Sequence, residues 1–407
     1  MKHIEGSVTA PKGFQATGAA IGIKKNGKKD ICLVASDVPA VLAGVFTTNV
    51  VKAAPVLWDM EVAKKGIARG FVVNSGNANA CTGEQGMKDA AAMAAAFGRM
   101  LGAPADEVLV CSTGVIGVPL PIDLMTKGIE ATAPGLGGTF GHGVLAAESI
   151  MTTDTFAKTI AVEIELSGKT VTLGGMAKGS GMIHPNMATM LGFVTTDCAI
   201  AKEMLDKALQ EVILDTFNMI SVDGDTSTND TLLALANGLA GNAVIDVENA
   251  DYETFKAALL VICRKLAIDL ARDGEGATKL VEITVSGAKN TADARTIARS
   301  VSASSLFKAM LFGADANFGR VLCAMGYSGA SFDPLKVTMD FRDETGKTLR
   351  LMESGVPLGF DEAYAKSILI NRDIFVDIFL TEGDGTATAW GCDLTYDYVK
   401  INGDYRS

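Results

Sequence analysis

The sequence predicts a mixed α/β protein. Hydrophobic residues make up 48% of its 407 residues, aromatics only 6%, and glycines number 44. That is ample apolar side chain for a large core, packed by small residues more than by rings. Short apolar runs of strand length alternate with longer segments of helical spacing. They do not follow a strict strand–helix–strand repeat, which disfavours a doubly wound sheet.

The runs Ile31 to Ala35, Gly44 to Phe46, Phe71 to Val73 and Val108 to Cys111 read as strands. Met87 to Leu101 is alanine-rich and meets Gly102, a helix stop signal. Lys158 to Leu166 and Thr170 to Leu173 read as a hairpin across Ser167-Gly168. Met204 to Phe217 and Tyr252 to Ala271 have helical spacing, the second stopping at Asp273-Gly274. From about Ser286 the style changes. One helix, Ser302 to Leu311, leads to strands at Lys336 to Phe341, Thr348 to Met352 and Ile374 to Leu380. Trp390 to Ile401 reads as a final strand pair or an extended arm. This change of style predicts two domains, 1–285 and 286–407, in keeping with the chain length.

The formal net charge is −11 and no Lys/Arg patch is concentrated anywhere, which argues against a nucleic-acid partner. The seven cysteines are scattered and never spaced C-x-x-C, so free thiols in a reducing compartment are expected. The segment Met1 to Gly6 lacks an apolar signal core. No run approaches about 18 uninterrupted apolar residues, so no membrane span is expected. A cytoplasmic location follows as the expectation.

The most informative stretch is Lys178-Gly179-Ser180-Gly181-Met182-Ile183-His184-Pro185-Asn186-Met187-Ala188-Thr189-Met190-Leu191. It is polar and turn-prone up to Asn186, then apolar except for Thr189. By pattern alone, a threonine entering an apolar run is an ordinary strand residue. The chemical reading is different. A loop that bends sharply lets the Thr189 hydroxyl attack the carbonyl of Ala188 and replace the peptide bond with an ester. Hydrolysis then cuts the chain, and the new α-amine of Thr189 serves as base for its own hydroxyl.

Other constellations carry less. Ser112-Thr113-Gly114 follows an apolar run, where a flexible strand exit can offer a hydroxyl and N–H groups to an oxyanion. Lys178 precedes its glycines, so it is not a phosphate-binding loop lysine. Asp223 to Asp230 fails as a calcium loop, with Thr228 at position six and Ala234 at position twelve. It reads as a polar wall. The only histidines are His3, His142 and His184, and no metal is expected. His184 precedes the cut point and reads as a shaper of the loop.

Further segments stand in order along the chain. They are Asn74-Ser75-Gly76-Asn77-Ala78-Asn79-Ala80, Ser112-Thr113-Gly114-Val115-Ile116-Gly117 and Met151-Thr152-Thr153-Asp154-Thr155. Ser221 to Asp230, Asp273 to Lys279 and Ile401 to Ser407 follow. With the Lys178 to Leu191 stretch, they make the chain resemble, over nearly its whole length, the ornithine acetyltransferase (glutamate N-acetyltransferase) family of arginine biosynthesis.

The resemblance implies a sandwich like that of N-terminal-nucleophile hydrolases, differently connected, with a smaller C-terminal α/β domain whose tail docks at the active site. It implies cleavage between Ala188 and Thr189. The acetyl group of N-acetylornithine would move to Thr189 and then to glutamate, in ping-pong fashion. Thr113 (side chain) and Gly114 (backbone N–H) would hold the oxyanion. Thr152, Lys178, Thr189, Glu275, Asn402 and Ser407 would contact substrate. Lys178 would face its carboxylate and Glu275 the ornithine ammonium. No cofactor is implied; some members take acetyl-CoA as a second acetyl donor and others do not. The implied assembly is two α and two β fragments.

Three positions depart from the family pattern: Ala157 for proline, Phe318 for tryptophan, and Ser407 for threonine, which keeps the hydroxyl. Two other readings stay open. A related amidase or aminopeptidase would pass the acyl group to water. A catalytically silent relative would only bind an amino acid.

Overall fold

The structure is a computed structural model that describes residues 1–184 and 190–404. Along them the strands are β1 (Lys2–Ile4), β2 (Phe14–Ala19), β3 (Ile31–Phe46), β4 (Ile67–Asn77), β5 (Val108–Val115), β6 (Lys158–Leu166), β7 (Lys169–Lys178) and β8 (Leu191–Thr196). Then come β9 (Ile220–Ser221), β10 (Thr231–Ala236), β11 (Leu280–Ala288), β12 (Thr338–Asp343), β13 (Thr348–Glu353), β14 (Val356–Pro357), β15 (Asp373–Phe379) and β16 (Gly385–Cys392). The chain divides into two units. Among the described residues no helix is long and apolar enough to cross a membrane.

The first unit comprises Met1–Gly179, Pro185–Thr216 and Thr226–Leu266. Its sheet runs β1-β6-β7-β8-β10-β3-β4-β5, with β2 also paired to β3. Successive strand residues point to opposite faces, and both faces are apolar here. Ile31, Leu33, Val72, Val108 and Val110 pack with Met93 and Phe97 of helix Gly83–Leu101 and with Met125 and Ile129 of helix Ile122–Thr132. Their neighbours Cys32, Val34, Phe71, Val73, Leu109 and Cys111 join Ala146, Ala147, Ile150 and Phe193 in a second core. Burial on both faces explains why these strands read as continuous apolar runs instead of alternating ones.

The second unit comprises Ser180–His184, Phe217–Asp225 and Ala267–Ser407. Its sheet runs β14-β13-β12-β15-β11-β16-β9. The strands are antiparallel except for the β11–β15 and β16–β9 pairs.

Most elements lie where the sequence puts them. The hairpin turns at Ser167-Gly168, both with positive φ. Gly102 closes its helix in the left-handed conformation. Three expectations need correction. The two runs at 31–35 and 44–46 are ends of one long strand, β3. The single helix expected at 302–311 is two, Thr291–Ala303 and Ser305–Gly313, because Ser304 is extended and its side chain accepts from Phe307 N, starting a new helix. The arm expected at 390–401 is β16 followed by helix Tyr396–Asp404. Thr395 starts that helix, its hydroxyl accepting from Tyr398 N at 3.3 Å. The local cap turns the second half of the stretch into a helix.

Candidate active site

Among the described residues four expected site residues lie in the first unit, beginning with Thr113 and Gly114 at the end of β5. There β4 and β5 run parallel until the register shifts at Gly76, Asn77 and Gly114. Gly114 has φ +135°, and a Cβ on it would lie 2.3 Å from the Gly76 carbonyl carbon and 2.5 Å from Asn77 N. Only glycine fits both the conformation and the space. Gly114→Ala is therefore expected to force the two strands apart and to lower turnover of the reaction the resemblance implies by roughly 10²-fold, the scale of an ångström's misplacement. Turnover measured alongside a thermal melt separates this from unfolding.

The β5 end is fixed from several sides. Ser112 Oγ donates to Asn74 Oδ1 at 2.6 Å, and Asn74 Nδ2 donates to Asn77 O at 2.8 Å. Asn229 Nδ2 donates to Ser112 O at 2.9 Å and to Ala78 O at 2.6 Å. Deeper in, the buried Asp59 carboxylate accepts from Val110 N at 2.7 Å.

Lys178, expected in a loop, is the last residue of β7 and is buried. The β7–β8 register sets it opposite Leu191. Its ammonium donates to Thr113 Oγ1 at 3.4 Å, so the structure brings these two expected residues together.

Thr152 enters through Asp154, which the sequence reading gave no role. Asp154 Oδ2 accepts from Thr152 N at 2.9 Å; Oδ1 accepts from Gly179 N at 2.7 Å and from Lys158 Nζ at 2.9 Å. The Asp154–Lys158 pair is fully buried. Burial alone would raise the Asp154 carboxyl, but the Lys178 and Lys158 ammonium groups and the two N–H donors hold it well below its ordinary value. Asp154 is thus an anion at any working pH.

A neighbouring loop is built on Asp30, whose buried carboxylate accepts from the N–H groups of Ile21, Gly22, Ile23 and Lys24. Lys24 in turn donates to Met151 O at 2.7 Å, steadying the residue before Thr152. Burial lowers the Lys24 ammonium to about 8 against the pull of Asp30.

Two expected residues among those described lie in the second unit. Glu275 is buried, its N–H donates to Ser180 O at 2.8 Å, and its Oε2 accepts from Asn402 Nδ2 at 2.7 Å. A Cβ on Gly181 would lie 2.3 Å from Glu275 Oε2, so glycine is what lets the backbone pass this carboxylate. Lys279, a cation close to Glu275 in sequence, donates to Leu311 O. Ala188, Thr189 and Ser407 lie outside the described residues.

Asp223 to Asp230 splits in its duties. Asp223 accepts from Met182 N at 2.6 Å, Ile183 N at 2.8 Å and the Tyr398 hydroxyl at 3.2 Å, all within the second unit. Asn229 supports β5 in the first. Among the described residues no group of His, Cys, Asp and Glu could hold a metal ion.

His184 contacts Ser221 Oγ through Nδ1 at 3.1 Å and Arg299 through Nε2 at 3.2 Å. An arginine only donates, so Nε2 accepts and the proton sits on Nδ1. Burial and then the Arg299 charge push the imidazole down to about 4, against Asp223. The unfolded chain takes up this proton near pH 6.5 and the fold only near 4. Stability is therefore whole above pH 6.5 and falls between 6.5 and 4, by about 1.4 kcal/mol per pH unit at most. NMR of the imidazole C–H protons is expected to show His184 neutral down to pH 5.

Asp154, Asp30, Lys24, Asp223 and Arg299 carry no local pattern that singles them out. Only Asp154 and Asp223 fell within quoted motifs.

The family model of the ArgJ family matches residues 15–407. The chain is 55% identical over 409 residues to the arginine biosynthesis bifunctional protein ArgJ of Symbiobacterium thermophilum, covering 100% of each chain. It is 51% identical over 407 residues to that of Caldanaerobacter subterraneus subsp. tengcongensis, again covering 100% of each. Among solved structures, the arginine biosynthesis bifunctional protein ArgJ of Bacillus halodurans is 45% identical, with a TM-score of 0.50, over 53% of this chain and 99% of that one. With a family match over nearly its whole length and full-length relatives above half identity, this chain belongs to the ArgJ family.

Proposed function

We propose that the chain moves the acetyl group of N-acetylornithine to glutamate through an ester on Thr189, after cutting itself between Ala188 and Thr189. The observation that carries this reading is the Lys178–Thr113 contact at the β7 end that faces Leu191, two residues beyond Thr189 in sequence. A buried cation, a hydroxyl and an obligatory glycine stand together there, as an oxyanion site needs.

Cutting begins when the Thr189 hydroxyl attacks the Ala188 carbonyl. The C–N bond gives way to an ester, the nitrogen becomes the α-amine of Thr189, and water hydrolyses the ester. In the first half-reaction that amine, whose ordinary pKa of about 7.7–8.0 suits a base at neutral pH, takes the hydroxyl proton as oxygen attacks the acetyl carbonyl. The oxyanion forms against Thr113 Oγ–H and Gly114 N–H. It collapses with loss of ornithine, whose nitrogen takes the proton. Glutamate's amine then attacks the ester and the Thr189 hydroxyl is restored. Glu275, oriented by Asn402, holds the ornithine side-chain ammonium, and Thr152 and Ser407 line the substrate.

The half-length Bacillus halodurans chain supports the cut, since residues 189–407 are also just over half of this chain. The pieces stay together as two of each kind, in the cytoplasm, without a cofactor.

Incubation with N-acetylornithine, with and without glutamate, tests the reading. Formation of N-acetylglutamate is expected. Ornithine released equally fast without glutamate would mean an amidase, and no ornithine at all a silent binder. Thr113→Ala is expected to slow transfer by ~10²–10³ while leaving the fold intact. Wild-type turnover in that variant would remove Thr113 from the oxyanion site.

A further inference from the structure

We propose that Asp154 is the positioning residue of the oxyanion site: it fixes Lys178 so that the ammonium donates to Thr113 Oγ1 and turns the Thr113 proton toward the reacting carbonyl. This rests on Thr113 being an oxyanion donor, as read above, and gives Lys178 a duty besides holding a substrate carboxylate.

A threonine hydroxyl has one proton and two lone pairs. Left alone it rotates, and its proton points at an acceptor only part of the time. At Thr113 one lone pair already faces the Lys178 ammonium at 3.4 Å. That ammonium has only protons to give, so Thr113 cannot spend its proton on Lys178. The hydroxyl must donate elsewhere, and an adjacent cation strengthens it as a donor. A contact of this length in a resting site shortens when negative charge forms nearby.

Lys178 needs support, because a long side chain holding a buried charge loses rotamer freedom and hydration. Asp154 supplies it. Its carboxylate is buried, bonded to the backbone N–H next to Lys178, and held below its ordinary value in part by the Lys178 charge. It is itself held by three donors, one on Lys158 and two on the backbone. One of these is Gly179 N, at 2.7 Å and one residue after Lys178, so Asp154 grips the strand end that carries Lys178 at its backbone. The other, Thr152 N, ties the expected substrate-contact motif to the same carboxylate.

The test uses a donor with no carboxylate. p-Nitrophenyl acetate is expected to acetylate the matured wild-type protein, and the release of p-nitrophenolate gives the rate of the first half-reaction. Asp154→Asn alone would leave Lys158 buried without its counter-ion, so the double change Asp154→Asn/Lys158→Met removes both charges of the pair. Lys178→Met is the second, independent variant. Each is made in the wild type and in the Thr113→Ala background.

In the wild-type background, each is expected to slow acetylation by about tenfold, a fraction of the loss from removing the donor outright. In the Thr113→Ala background the same changes are expected to cost less than about twofold, because the hydroxyl they orient is gone. Equal losses in both backgrounds overturn the proposal, as does an unchanged rate for Lys178→Met. The latter would mean that Lys178 serves only the substrate carboxylate. If the wild type reacts with the ester but makes no N-acetylglutamate, the acetyl-acceptor reading fails while this cycle still decides the role of Asp154.

Discussion

Thr189→Ala is expected to leave a single uncut chain with no measurable acetyl transfer. Both reactions lose the same atom, the Thr189 hydroxyl oxygen. Without cleavage the α-amine that would act as base never exists, so two parts of the machinery vanish with one side chain. Loss of a nucleophile from such a unit costs on the order of 10⁶ in turnover, and removing its base as well adds little. Intact-mass analysis of the purified protein reads the cut, and N-acetylglutamate formation reads the transfer. Thr189→Ser keeps the oxygen and is expected to keep both reactions. An uncut Thr189→Ala chain with wild-type turnover would sink the mechanism, since an acetyl ester at that position could not form.

The second large effect is expected at Glu275. Glu275→Gln keeps the shape and an oxygen to accept from Asn402 Nδ2, but removes the charge. The carboxylate is buried between Gly181 and Asn402, where a charge facing an ammonium is poorly screened. Losing one partner of such a pair costs on the order of 2–5 kcal/mol. That corresponds to roughly 30- to several-thousand-fold in kcat/KM for N-acetylornithine, at about 1.4 kcal/mol per factor of ten. Self-cleavage involves no ornithine and should proceed at its normal rate. Kinetics on N-acetylornithine beside a gel of the fragments decides. Equal loss of both reactions would make Glu275 a structural strut for Ser180 and Gly181. Unchanged kinetics would assign the ornithine ammonium to another group.

The α/β class, most strands and the long helices were legible because their signals are local. A helix that ends on a left-handed glycine, or a strand buried on both faces, leaves its mark within a dozen residues. Two of the three corrected segments failed for local reasons too. Ser304 and Thr395 each start a helix with one side-chain hydrogen bond, in sequence that otherwise suits another reading.

The site divides along a different line. The order of the motifs put Thr113, Gly114, Thr152, Lys178, Glu275 and Asn402 forward as the proposed site without any contact being known. Ordered motifs hold residue types, and chemistry needs those types. What the motifs could not hold is pairing between distant residues. Lys178 reads as a loop lysine beside glycines, and only the β7–β8 register makes it a buried strand end, with its ammonium reaching Thr113. Asp154 reads as one more acid in a polar motif. Its meaning lies in donors from residues 152, 158 and 179, which come together only when β7 returns along β6. By itself, then, the sequence determined the family and the class of fold, and named the residue types that the proposed chemistry needs. Tertiary structure alone decided which charges face each other and which are buried, because burial and hydrogen-bond geometry depend on neighbours far along the chain, and those set how strongly each charge acts.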